Sequence, residues 1–238
     1  MPKKICLFGD SISKGVIIDP TLGRYTVTKR SFANILSCTK SYLNISNFSM
    51  LGCTIQKGQS LINRHIKDVQ NCDLAVLEYG GNDSDHNWAE IAADPDGNHL
   101  PKTPVEEFAV DYCNILDGLQ SMGKSTVILN LPPIDEHKYF SWFARGLNGD
   151  NILKWLGGSE RYIFDFHKSY NSKVCEIAAQ RSIPMIDIRS AFLAIGDYSS
   201  YLCDDGIHPN EKGHKLIADV ISEEIPDIAY SLLLKPGA

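Results

Sequence analysis

The chain has 238 residues, 43% hydrophobic and 22% charged, with a formal net charge of −6. This balance fits a single globular domain over residues 1–238 with one large core. An acidic chain with no Lys/Arg cluster argues against a nucleic-acid or anionic-membrane surface and leaves small-molecule partners as the expectation.

The start Met1-Pro2-Lys3-Lys4 is basic, but the apolar run after it is cut at Gly9-Asp10, too short for a signal peptide. No stretch is long enough to cross a bilayer, so no membrane insertion is expected. Short apolar runs at about 3–8, 41–48, 73–79, 125–131 and 183–188 read as strands. They alternate with helical patterns at about 31–37, 55–70, 104–122, 159–182 and 211–224. Such alternation predicts an α/β fold, a parallel sheet with helices on both faces. Leu61, Ile62, His65, Ile66 and Val69 form one apolar stripe, and Phe164, His167, Tyr170, Val174, Ile177 and Ala178 another. On these stripes His65 and His167 read as packing or surface residues.

Two segments interrupt the alternation, 84–104 after the third strand and 132–158 after the fourth. Loops that follow strand C-termini border the ligand crevice of an open α/β sheet, so both are candidate substrate walls, with core cover or an oligomer contact as the alternative. Their aromatic residues Trp88, Tyr139, Phe140, Trp142 and Phe143 are the candidate substrate-binding set. Seven cysteines, at 6, 38, 53, 72, 113, 175 and 203, show neither metal spacing nor a compact disulfide framework. The expectation is reduced thiols in a cytoplasmic protein, in which the N-x-S matches at Asn44, Asn47 and Asn82 carry no glycan.

Three motifs fail in context. Gly118 through Ser125 spells a P-loop but ends a helical pattern and leads into a strand, the reverse of what phosphate binding needs, so Gly123 reads as a helix C-cap. The Asp94–His99 turn lacks the glycine and glutamate of a calcium loop. Ser13 stands where a nucleophile elbow needs its second glycine.

What remains is a set of turns at strand ends. Gly9-Asp10-Ser11 closes the first strand, and Ser49 through Thr54, with Gly52, follows the second. Glu78-Tyr79-Gly80-Gly81-Asn82-Asp83 closes the third, and Asp205-Gly206-Ile207-His208-Pro209-Asn210 precedes the last helix. Asp205 can accept a hydrogen bond from the imidazole three residues on, Asn210 can cap the helix, and Asn82 offers an amide. A serine nucleophile needs such a base and such donors.

Together these blocks resemble those of the SGNH (GDSL-type) esterase and lipase family, and the resemblance spans nearly the whole chain. It implies a three-layer α/β/α sandwich with a five-stranded parallel sheet, flavodoxin-like in topology. It implies Ser11 as nucleophile, His208 as general base and Asp205 as its orienting acid, with the Ser11 and Gly52 N–H groups and the Asn82 amide as the oxyanion hole. Ile12 stands where the family commonly has leucine, a conservative departure. No metal or organic cofactor is implied. Asp10 and Asp83 are expected to bond loop backbone, and Cys53 and Cys203 to be inert packing. The expected reaction is hydrolysis of short-acyl esters, O-acetyl esters of sugars foremost. The alternatives are a lysophospholipase or thioesterase for longer chains, a catalytically silent glycan-binding module, and a metal hydrolase built on Asp10, Asp205 and His208.

Overall fold

The computed structural model describes residues 3–19 and 21–233, with side chains to Ile225. β1 (Lys3–Gly9) is the second strand of a parallel sheet. Between it and the next sheet strand come α1 (Ser11–Lys14), a hairpin of β2 (Val16–Ile18) and β3 (Tyr25–Val27), and α2 (Phe32–Thr39). β4 (Leu43–Asn47) is followed by α3 (Ile55–Arg64) and α4 (Ile66–Asn71), and β5 (Leu74–Glu78) by α5 (Trp88–Ala93) and α6 (Val105–Ser121). After β6 (Ser125–Leu129) come α7 (Glu136–Phe143), α8 (Gly149–Trp155) and α9 (Arg161–Gln180). β7 (Met185–Ile186), α10 (Ile188–Leu193) and α11 (Glu211–Leu233) complete the order.

The sheet runs β4-β1-β5-β6-β7, all pairs parallel. Its strands read as unbroken apolar runs because both faces are covered. Along β1, Cys6 and Phe8 join the cluster under α3, α6 and α9, whereas Ile5 and Leu7 join the cluster under α2, α10 and α11. β5 divides in the same way, Ala75 and Leu77 to one side and Leu74 and Val76 to the other. This is the 2-1-3-4-5 order of a flavodoxin-like sheet, with its crossover reversal between β1 and β5, where such sheets bind ligands. Ser11 and Asn82 follow those two strands.

The strands and long helices agree with the sequence expectation; four local features differ. The helix expected over 55–70 breaks at His65, whose backbone (φ −103°, ψ 28°) ends α3 and starts α4. The strand expected over 183–188 pairs only at Met185–Ile186, because Asp187 already caps α10 through the Ser190 N–H. The β2–β3 hairpin was not anticipated, since three-residue strands fall below the length at which alternation is legible. The segments expected as loops are helical: α5 and α8 lock together through Asn151 Nδ2 donating to the Ala92 carbonyl at 2.7 Å, around a third apolar cluster containing Trp88, Ile91, Ile152 and Leu156. Helices of six to eight residues are marginal alone and form here by packing on one another. Gly123, in left-handed conformation (φ +67°), follows α6 as expected of a cap.

Candidate active site

The serine sits at a strand-to-helix turn. Asp10 caps α1, its carboxylate accepting from the Ile12 N–H at 2.8 Å, and Ser11 begins the helix. Gly9 is required by close approach: a Cβ there would lie 2.7 Å from Ser13 Oγ and 2.8 Å from the Glu78 carbonyl oxygen. The turn is therefore pressed against β5, and Ser11 is 7% exposed.

The histidine arrives on the loop before α11. Leu202 and Pro209 form an isolated antiparallel bridge, and the Cys203 N–H donates to the His208 carbonyl at 2.8 Å. Asn210 caps the helix, accepting from the N–H groups of Lys212 and Gly213 at 2.9 and 3.2 Å. Within this loop Asp205 Oδ1 accepts from the N–H groups of Ile207 and His208, both at 3.1 Å, while Oδ2 lies 2.6 Å from His208 Nδ1. An ionised carboxylate only accepts, so Nδ1 carries the proton and Nε2 is the free acceptor. Nε2 lies 2.8 Å from Ser11 Oγ, across 197 residues of chain. Burial alone would push the Asp205 carboxyl up, but the hydrogen bond and charge of His208 and the two N–H groups outweigh it and hold the carboxyl below its ordinary value.

Gly206 makes the Asp205 loop dock. It has φ +72°, a Cβ on it would lie 2.5 Å from the Asp135 carbonyl oxygen, and its own carbonyl accepts from the Asp135 N–H at 2.8 Å. Gly206→Ala is expected to lower the melting temperature by roughly 2–8 °C from the left-handed penalty of ~1–2 kcal/mol alone. An unchanged calorimetric melting temperature would show that the loop accommodates the methyl group without cost.

Of the expected oxyanion donors, Asn82 lines the same cavity as Ser11 and His208. One of its amide hydrogens is engaged by Asp10 Oδ2 at 2.8 Å, leaving the second available. Gly52 (φ +68°) lies outside the cavity lining, in a loop tied to the Ser11 turn by the Met50 N–H donating to the Gly9 carbonyl at 3.1 Å. Asp83 accepts from the Ile55 N–H at 3.0 Å and so fixes the start of α3. Burial pushes the thiols of Cys53 and Cys203 up to about 11, which suits packing. Among the described residues no group of three or more His, Cys, Asp or Glu side chains is arranged to hold a metal ion.

The cavity has a volume of about 80 Å³ and is lined by Ser11, Asn82 and His208, with Ile134, Tyr162, Ile163 and Phe166 among its apolar walls. The five expected aromatic residues do not form one wall. Trp88 and Tyr139 line the cavity, both fixed by Asp85 Oδ1, which accepts from Trp88 Nε1 at 2.9 Å and from the Tyr139 hydroxyl at 2.6 Å. Phe143 stacks on Trp88 at 4.1 Å between centroids, and Phe140 packs on Phe143, both outside the cavity lining. Trp142 lies outside the cavity lining, between Arg145 and Tyr25. The separation follows from α7 being a helix, which distributes consecutive side chains around its axis.

Other residues around the site were not assigned to it from sequence. Tyr25, on the unanticipated hairpin, meets His208 edge-on at 5.2 Å. His167 is buried, as a packing residue would be, and it lines the cavity, as does His86. Burial pushes their imidazoles down to about 3 and about 4, so both are neutral near pH 7. His65 packs against Phe48, with ring centroids 4.1 Å apart, and bonds Asp68.

The profile of the GDSL-like Lipase/Acylhydrolase family matches residues 7–216. The curated GDSL esterase/lipase CPRD49 of Arabidopsis thaliana is 27% identical over 160 residues, 66% of this chain and 56% of its own length. The rice GDSL esterase/lipase WDL1 is 23% identical over 150 residues, 62% of this chain and 51% of that protein. The chain thus spans little more than half the length of these curated relatives. Among solved structures, a lipase/acylhydrolase from Enterococcus faecalis superposes with a TM-score of 0.64 at 21% identity, covering 94% of this chain and 95% of the other. The acetyl xylan esterase AlAXEase gives 0.60 at 19% identity, covering 93% and 99%. Axe2, an acetyl-xylooligosaccharide esterase from Geobacillus stearothermophilus, gives 0.62 at 19%, covering 94% of each chain. With a family profile that runs from β1 into α11 and a sheet of the same architecture, this chain belongs to the GDSL-like lipase/acylhydrolase family.

Proposed function

We propose that the protein is a serine esterase acting on short-acyl esters, O-acetyl esters of carbohydrates foremost, through an acyl-enzyme. The observation that carries this reading is the hydrogen-bonded line Asp205–His208–Ser11, at 2.6 and 2.8 Å, buried beside an amide donor in the lining of a small cavity. In the reaction Ser11 Oγ attacks the acyl carbonyl carbon as its proton passes to His208 Nε2. Asp205 holds the imidazole in the tautomer that can accept, and stabilises the imidazolium that forms. Negative charge developing on the carbonyl oxygen is met by the free hydrogen of Asn82 and by backbone N–H groups at Ser11 and Gly52. His208 then gives the proton to the departing alcohol, and water, activated by the same base, releases the acid.

A volume of about 80 Å³ with mostly apolar walls suits the acyl half, the part of the substrate that comes to an end. Acetyl xylan esterases among the structural neighbours support an acylated sugar as the other half. The exposed Tyr25, Val27, Met50 and Leu51 favour a second reading, in which a longer acyl chain lies along an apolar rim. Turnover of acetyl, butyryl and octanoyl esters of one alcohol separates the two: rates are expected to fall with chain length, and faster octanoyl turnover selects the lysophospholipase or thioesterase reading. A folded wild type left unlabelled by a fluorophosphonate selects the silent glycan binder. Asn82→Ala is expected to lower kcat by about 10²–10³ with a smaller change in KM; an effect confined to KM would assign the amide to ground-state binding.

A further inference from the structure

The last residue of β5 is an acid to which the proposed chemistry assigns no task. Glu78 ends the run Leu74-Ala75-Val76-Leu77, is 0% exposed, and pairs in register with Gly9 of β1. Its side chain therefore lies beside the turn that carries Ser11. Oε2 accepts from Ser13 Oγ at 2.9 Å, and Oε1, fully buried, has no donor among the described residues. Against it stands Asp10, 1% exposed, whose Oδ1 accepts from the Ile12 N–H and Oδ2 from Asn82 Nδ2, each at 2.8 Å. The Gly9–Glu78 register and the Ser13 bond set the Glu78 carboxyl beside that of Asp10, the residue after Gly9.

Adjacent buried carboxylates do not both ionise. Asp10 already accepts from two N–H groups, so the proton between the pair belongs on Glu78, where it also satisfies an otherwise unpartnered oxygen. Burial pushes the Glu78 carboxyl well above its usual range, and the charge of Asp10 adds to this. Burial raises Asp10 as well, opposed by the Ile12 N–H, the His208 charge and the hydrogen bonds of Glu78 and Asn82. Other titratable groups around the pair are Asp83, Tyr79, Cys53, Tyr112 and His208.

We propose that Glu78 is a positioning residue: by donating its proton to Asp10 it holds that carboxylate on the Asn82 amide and the Ile12 N–H, fixing oxyanion donor and nucleophile turn in one arrangement. The role rests on the esterase reading, whereas the shared proton does not. The link from Glu78 to the reacting atoms passes through Asp10 and then Asn82.

Two variants and one spectrum test it. In Glu78→Gln the amide oxygen still accepts from Ser13 and the amide N–H donates to Asp10 at every pH; Glu78→Ala has no donor. On a short-acyl ester, Glu78→Ala is expected to lower kcat by about 10–100-fold with KM within about threefold, and Glu78→Gln to recover kcat to within about threefold of wild type. At alkaline pH the wild-type pair loses its last proton and two facing charges repel. The glutamine has no such proton to lose, so its rate persists to higher pH. A wild-type kcat in Glu78→Ala, or a glutamine no better than alanine, overturns the proposal. Because alanine leaves a buried gap, protonation is read on wild type: the ¹³C carboxyl resonance of Glu78, assigned by its loss in Glu78→Gln, is expected to keep its acid-form shift at pH 7. An ionised Glu78 overturns the proposal whether or not any ester is cleaved. A wild type that cleaves no ester while Glu78 stays protonated overturns the esterase reading and the positioning role, and leaves the shared proton standing.

Discussion

Ser11→Ala is expected to abolish fluorophosphonate labelling and to lower ester turnover by about 10⁴–10⁶, the range seen when a nucleophile is lost from an acyl-transfer site. The loss is large because, among the described residues, no second nucleophile bonds the imidazole. His208 Nε2 has Ser11 Oγ as its side-chain partner, at 2.8 Å. The nearby thiols of Cys53 and Cys203 are held protonated by burial. The fold should survive, since among the described residues the Ser11 hydroxyl bonds only that imidazole, and the cap of α1 is made by Asp10. Intact-mass analysis after fluorophosphonate treatment, beside a thermal melt, checks both halves. Full labelling of a well-folded Ser11→Ala protein would move the nucleophile elsewhere.

Asp205→Asn is expected to lower kcat by about 10³–10⁴ while changing KM by less than tenfold. The asparagine oxygen can still take one set of the bonds that Asp205 makes, to the N–H groups of Ile207 and His208 or to the ring. An amide N–H facing Nδ1, however, favours the tautomer whose Nε2 carries the proton, and that imidazole cannot accept from Ser11. The imidazolium of the transition state also loses its buried counter-charge. Steady-state kinetics on an acetyl ester, with imidazole ¹⁵N shifts to identify the tautomer, distinguish this from a folding defect. Unchanged kcat with the Nδ1-H tautomer retained would reduce Asp205 to a loop constraint.

Much of this site could be read from the chain because each part is announced by turn chemistry at a strand end. Gly9-Asp10-Ser11 and Gly80-Gly81-Asn82 stand after apolar runs, and Asp205 and His208 are close enough in sequence for a local turn to join them. Glu78 also left a signal, an acid closing an otherwise apolar strand, although its partner is visible only when β1 and β5 lie side by side. Tyr25 left none: three exposed residues in β3 carry no burial pattern, and its approach to His208 depends on how the hairpin folds back. His167 was legible as buried but not as cavity-facing, because a helical stripe specifies an inward side without specifying whether a neighbour or a space lies there.

The sequence by itself determined the parallel sheet with helices on both faces, through runs apolar enough to be buried on both sides, and the residue types at its strand ends. Only the tertiary structure decided that Ser11 and His208 meet, that the helices of the two inserts pack into a wall from which Trp88 and Tyr139 reach the cavity while Phe140, Trp142 and Phe143 do not, and that Glu78 sits under the turn that carries Ser11. The physical reason is range. Periodicity and turn chemistry act over a few residues and survive in the linear order, whereas cavities, carboxyl pairs and aromatic facing are set by elements tens to nearly two hundred residues apart, whose relative placement is fixed only when the common core is packed.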